Sequence, residues 1–256
     1  QVPEYITRMG LDAYEYQCGR GVRISEEAAR AFGEKAREHQ VTLSLHSPYY
    51  ISLSGIEEEK RLGSIEYILQ SARAADAKGA QRVVVHSGSC AKLSRQQAME
   101  LAKDTLTRAY QRLDQEGLGN IRLCPETMGK LNQLGTLEEV LELCLLDERL
   151  IPCIDFGHLN ARTFGALNSF EGIRQVFETM ENVLGLDRMR QFHAHFSKIE
   201  YTEKGGEKCH LTFADTVYGP QFEPVAEMIV RKNASPTIIC ESAGTQAEDA
   251  ATMKKM

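Results

Sequence analysis

An α/β fold of the TIM (β/α)8 barrel type is what this sequence predicts, on two observations taken together. Short apolar runs alternate with helical stretches along nearly the whole chain, the pattern of repeated βα units on a parallel sheet. The runs also end on chemistry. Six of the seven histidines, His46, His86, His158, His193, His195 and His210, lie at or just past run ends, which also deliver Glu126, Asp155 and Glu241. In a parallel barrel all strands end on one face, so ligands scattered through the sequence converge there. A centre holding several metal ions is the expectation.

The elements follow in order. VPEYITRMGL reads as the back half of a helix leading into the strand-like AYEYQC, residues 13 to 18. Ser25, with Glu26 and Glu27 in the first turn, reads as the capped start of the next helix. TLSLHSPY, a helical GSIEYILQSARAADAKG and RVVVHSG come next, then a long helical run from Ser94 to about Glu116. IRLCPET, LEEVLELCLL, IPCIDFGH, the helical SFEGIRQVFETMENVL, QFHAHFS, a polar loop, EPVAEMIVRK and TIICES complete the rhythm. The strands number seven, so a closed eight-stranded barrel would place its first strand upstream of Gln1. Barrels of this kind run to about 250 residues as one unit, so residues 1–256 are expected to form a single domain.

Composition narrows the class. Hydrophobic residues make up 42% and charged residues 26%, ordinary for a soluble globular protein. No apolar stretch approaches the roughly 18 residues of a membrane span, and neither a span nor a signal peptide is expected. Seven cysteines without CxxC spacing argue against a disulfide framework and for a reducing cytoplasm. Cys124, Cys153 and Cys240 sit inside apolar runs and read as core packing. The net charge of −6 counts only weakly against a DNA partner, because bound divalent ions add positive charge that the sequence omits.

A lone histidine at a strand end is ordinarily a hydrogen-bonded structural residue; six in such places point to ligation. Glu126 and Asp155 end apolar runs, an expensive place for an unpaired carboxylate, and ligation explains them. His193 and His195, two apart, face the same side of a strand. His39, in a helical AREHQ run, reads as a surface residue. Arg20 and Arg23, beside Gly19 and Gly21, lie on the strand-end face and suit DNA phosphates. The lysine-rich and glycine-rich residues 198 to 208 read equally as a phosphate-contacting loop or as a solvated connection.

Taken in order, LHSPYY, VVVHSGS, CPETMG, CIDFGHLNA, HAHFSK and ICES resemble the strand-end motifs of the endonuclease IV family. These are the zinc-dependent apurinic/apyrimidinic endonucleases within the xylose-isomerase-like TIM barrel superfamily. The resemblance runs from about Ala13 to Glu241. Its closest pieces are the Asp-x-x-His of Asp155 and His158, the Glu-Thr-x-Gly of Glu126 to Gly129, and the His-x-x-Tyr of His46 and Tyr49.

The resemblance implies that His46, His86 and Glu126 hold one zinc. Glu126 would bridge to a second, which also takes Asp155, His195 and Glu241, and His158 and His210 would supply a third. Two or three Zn2+ ions are implied, with Mn2+ as the alternative metal. The implied reaction is DNA repair chemistry, hydrolysis of the phosphodiester 5′ to an abasic site in double-stranded DNA, with Glu126, Asp155 and Glu241 as catalytic residues. A cytoplasmic monomer is expected. Tyr49 stands where the family places an aromatic side chain at the lesion; with Arg20, Arg23 and Lys208 it forms the expected DNA contacts. Spacing assigns His195 to the metal and leaves His193 as a donor behind the ligands.

One position departs from the pattern. The family carries Asp two residues before the histidine matched by His210, and this chain carries Lys208 there. A protonated ammonium cannot ligate zinc. Three outcomes stay open: Lys208 substitutes for the ion's charge; Glu207, Cys209 or Asp215 ligates instead; or only two ions bind. A different function also fits part of the set, because Glu126, Asp155, His195 and Glu241 equally resemble the single-metal site of sugar isomerases and epimerases. His46, His86 and His210 separate the two readings, since an epimerase has no use for them.

Overall fold

The computed structural model describes residues 2–256. Helix α1 (Val2–Arg8) leads into β1 (Ala13–Gln17), followed by α2 (Glu26–Glu38), β2 (Thr42–His46), α3 (Glu58–Lys78), β3 (Arg82–Val85), α4 (Arg95–Gln115) and β4 (Arg122–Pro125). The second half runs through α5 (Leu137–Cys144), β5 (Cys153–Asp155), α6 (Phe156–Arg162), α7 (Phe170–Leu184), α8 (Leu186–Met189) and β6 (His193–Phe196). It closes with β7 (Ile199–Thr202), β8 (Gly206–His210), α9 (Glu223–Arg231), β9 (Thr237–Cys240) and α10 (Gln246–Met253). Local chemistry sets these bounds: the Ser25 side chain accepts from the Ala28 amide to start α2, and Ser94 and Thr136 close reciprocal capping boxes on α4 and α5.

Strands β1 to β4 form one parallel ladder and β5, β6 and β9 another. A parallel bridge between Glu126 and Cys153 joins the two. Among the described residues, seven parallel strands therefore curve into an α/β barrel, the fold class the alternation predicts. Among the described residues no ladder pairs β9 with β1. A cavity of about 1610 Å3 opens there, lined by side chains of β1, β9, α1, α9 and α10.

One expectation needs correction. The segment read as a polar loop is an antiparallel hairpin of β7 and β8, lying outside the parallel ladders. The strand in IPCIDFGH stops at Asp155, and His158, just past the run's end, stands in the first turn of α6. All seven cysteines are free, and only Cys209 is exposed; Val84, Cys124, Ile151 and Cys153 pack together as a small apolar cluster. Burial pushes the Cys124 thiol up to about 12, as expected of packing rather than ligating sulfur. No helix among the described residues is long and apolar enough to cross a membrane.

Candidate metal centre

The barrel register stacks the inward side chains in layers. Glu15 is level with Ser44, Val84 with Cys124, and Cys153 with His193. One step further along, Asp155 is level with His195, and His46, His86, Glu126 and Glu241 reach the same height from the ends of β2, β3, β4 and β9. Period-two alternation thus turns every second residue of each run inward, successive ones entering successive layers. The donor atoms of His46, His86 and Glu126 lie within 4.8 Å of one another, as do those of Glu126, Asp155, His195 and Glu241.

Glu126 belongs to both groups because its two oxygens face different ways. Oε2 lies 3.2 Å from Nε2 of His46 and 3.2 Å from Nε2 of His86. Oε1 lies 3.1 Å from Nδ1 of His195 and 3.4 Å from Nδ1 of His158. Asp155 divides its carboxylate similarly: Oδ1 caps α6 by accepting from the His158 amide at 2.7 Å. Its Oδ2 is buried and accepts no hydrogen bond from the described residues. The Asp-x-x-His spacing is therefore a helix cap and its third residue, which holds both side chains at the centre.

The imidazoles are oriented from behind. His46 Nδ1 donates to the Ser47 carbonyl at 2.7 Å, leaving Nε2 facing Glu126. His158 Nδ1 donates to the Thr127 carbonyl at 3.0 Å, which aims Nε2 at Glu207, 3.5 Å away. A carbonyl oxygen only accepts, so each of these contacts fixes the tautomer and frees the second nitrogen for a metal. Gly157 permits the approach of α6 to the end of β6, where a Cβ would stand 2.5 Å from the Ser197 carbonyl oxygen.

Electrostatics reflect the crowding. Burial pushes the Asp155 carboxyl up to about 6, and the nearby charges of Glu241 and Glu126 add to the rise while His158 opposes it. Burial would lower His46 and His158, but carboxylates win: Glu126 holds His46 at about 9, and Asp155 with Glu126 holds His158 at about 10. Burial would raise Glu126, yet His195, His158 and His46 hold it well below the usual carboxylate range. Protons on imidazole and negative charge on the carboxylates thus favour one another across the cluster.

A third group consists of His158, Glu207 and His210, again with donor atoms within 4.8 Å. The hairpin explains how Glu207 enters it. Glu200 pairs with Cys209 and Tyr201 pairs with Glu207, so Lys208 is the extra residue of a bulge. Ile199 and Tyr201 share a face of β7, and their partners His210 and Glu207 consequently share a face of β8 although they are three apart. Gly129 makes room, since a Cβ there would stand 2.6 Å from Cβ of Glu207. Lys208 points to solvent and pairs with Glu200 at 2.6 Å, so it does not stand in for an ion's charge. Cys209 is exposed beside Glu200, and Asp215 is committed to the amides of Val217 and Tyr218. His210 is lowered by burial, against the pull of Asp155, and its Nδ1 meets Ser197 Oγ at 2.8 Å.

Arg20, Arg23 and Tyr49 lie in the loops after β1 and β2, with Arg20 Nε donating to Tyr49 Oη at 3.3 Å. His193 and His195 are both buried in the barrel. Sequence reading missed Glu15, 5% exposed, to which both histidines turn. The available signal was an acid flanked by Tyr14 and Tyr16, at the inward position of an otherwise outward-packing aromatic pair.

The xylose isomerase-like TIM barrel family matches residues 3–256. An uncharacterized protein of Methanocaldococcus jannaschii is 34% identical over 239 residues, 93% of this chain and 85% of that protein. A probable endonuclease 4 of Natronomonas pharaonis is 28% identical over 193 residues, covering 73% of this chain and 66% of its own length. A probable endonuclease 4 of Acholeplasma laidlawii is 26% identical over 61% of this chain, and the chain spans about half of its length, 53%. Among solved structures, a D-tagatose 3-epimerase-like protein superposes with TM-score 0.75 at 22% identity, covering 98% of this chain and 89% of its own. Endonuclease IV of Thermus thermophilus also superposes with TM-score 0.75, at 18% identity over 99% of this chain and 92% of its own.

Proposed function

This chain belongs to the xylose isomerase-like TIM barrel family, and from that premise we propose that it is a multi-metal phosphodiesterase of the endonuclease IV type, cutting DNA 5′ to abasic sites. Fold alone does not separate this from an epimerase, because both kinds of structure superpose equally well. The donor inventory favours the phosphodiesterase. A single-ion site would use Glu126, Asp155, His195 and Glu241, leaving His46, His86, His158, Glu207 and His210 gathered around it without a role. The observation that carries the reading is Glu126, whose two oxygens face separate sets of imidazoles, the arrangement of a bridging ligand.

The residues suit zinc: nitrogen and carboxylate donors, tautomers fixed from behind, and a buried Asp155 oxygen without a hydrogen-bond donor. Clustered zinc would act as Lewis acid and lower the pKa of a coordinated water. His46, His86 and Glu126 would hold the first ion, Glu126, Asp155, His195 and Glu241 the second, and His158, Glu207 and His210 the third. Glu241 retains 20% side-chain exposure where Glu126 retains 1%, so of the inner carboxylates it is the one that would accept a proton from water. Tyr49, Arg20 and Arg23 border the same face and would meet the DNA backbone and the lesion. Lys208, paired with Glu200 on the hairpin, would contact DNA only at the rim.

The test is incubation of zinc-loaded protein with a duplex carrying one abasic site. Incision 5′ to the lesion, abolished by a chelator, is expected. Intact duplex, together with epimerisation of a ketohexose by the same preparation, would overturn the reading.

A further inference from the structure

Beneath the ligand layer lies a polar group that the metal reading does not use. Glu15, on β1, has a side chain 1% exposed. Its Oε2 accepts from Ser44 Oγ at 2.8 Å and from His193 Nε2 at 2.9 Å. Its Oε1 accepts from His195 Nε2 at 2.9 Å. A buried carboxylate is tolerated when such donors satisfy it, and here the group spans three strands, β1 reaching β2 on one side and across the barrel to β6 on the other.

We propose that Glu15, held by His193 and Ser44, is a positioning residue that fixes His195 with its proton on Nε2 and its Nδ1 lone pair aimed into the space between Glu126 and Glu241, where the second ion would sit. Nδ1 stands 3.1 Å from Glu126 Oε1 and 3.6 Å from Glu241 Oε1, so one ring serves the carboxylate below and the metal layer above. His193 Nδ1 is buried without a hydrogen-bond partner among the described residues. A proton there would be stranded, so His193 carries its proton on Nε2 and donates to Glu15. His193 is thus one step removed from the centre, orienting the carboxylate that orients the ligand. Glu15 differs from the carbonyls behind His46 and His158 in bringing a full negative charge against the imidazole, which raises the ligand basicity of His195.

The inference rests on the metal reading, and its test separates the two. Zinc affinity is measured by chelator competition for the unaltered protein, Glu15→Gln and His193→Phe, and the His195 tautomer is read from 15N chemical shifts of the zinc-loaded unaltered protein. Expected are Nδ1 ligation with a protonated Nε2, and binding weakened about 10–100-fold in Glu15→Gln, with a smaller loss in His193→Phe. The spectrum requires no variant, so misfolding of Glu15→Gln does not hide the answer. Zinc bound through Nε2, or unchanged affinity in a folded Glu15→Gln, overturns the role of Glu15 while leaving the metal reading intact. Failure of the unaltered protein to bind zinc at all overturns both.

Discussion

Asp155 and His195 stand on neighbouring parallel strands in fixed register, fully buried, whereas Glu207 and His210 come from a bulged hairpin outside the barrel, partly exposed. The inner groups inherit their geometry from the sheet: changing one distance would mean shifting a strand whose neighbours are hydrogen-bonded on both sides. The outer group depends on a two-stranded ribbon anchored to the loop after β4 through the Glu207 amide on the Gly129 carbonyl, 3.1 Å. A two-stranded ribbon is only marginally stable by itself. The centre therefore combines a rigid part with a part that can vary independently, and it is in the hairpin that this chain departs from the endonuclease IV motifs it resembles.

Breaking the inner part should have the largest effect. In Glu126→Gln both inner ions should weaken together and activity should fall by more than the ~100-fold typical of losing an outer hydrogen-bond partner; elemental analysis and incision kinetics check this. Full metal content in that variant would show that Glu126 does not bridge.

A pH titration comes next in size. His46 and His158 are raised from 6.5 to about 9 and about 10 in the metal-free protein. Their contribution to stability is fully present below about pH 6.5 and is lost as pH rises through those values. Asp155, raised from 3.8 to about 6, acts in the same direction over a lower window. The melting temperature of metal-stripped protein should therefore fall between about pH 7 and 10, while the stabilisation added by zinc grows over the same range, because metal displaces those imidazole protons. A flat apo profile in a pH-resolved melting series would contradict the charge balance described for the centre.

Smaller effects sharpen the contrast between inner and outer groups. Glu207→Gln should cost one ion per chain and spare the other two, as read by metal content. Lys208→Asp should change neither stoichiometry nor affinity, since position 208 faces solvent; a gained ion would mean that the bulge rearranges and that the family spacing is recovered.

Much of this architecture is legible in the sequence. Alternation of runs and helices specifies the barrel, because a parallel strand covered on both faces is mostly apolar. That is also why His46, Glu126 and Asp155 stand out along the chain. The rest is hidden for physical reasons. A bulge moves a side chain to the other face without any mark in composition, so counting back from His210 reaches Lys208 rather than Glu207. Asp155 as a helix cap depends on where β5 stops, which periodicity does not specify. Glu15 reads like any acid in a short strand, and its burial is visible only once the register sets it level with Ser44 and across from His193.

Metal content per chain tests the central claim most directly. Elemental analysis of protein loaded with zinc and freed of excess by gel filtration should return two or three ions, with Glu126→Gln losing at least two of three or both of two. A single ion in the unaltered protein, retained in Glu126→Gln, would contradict a bridged centre and with it the phosphodiesterase.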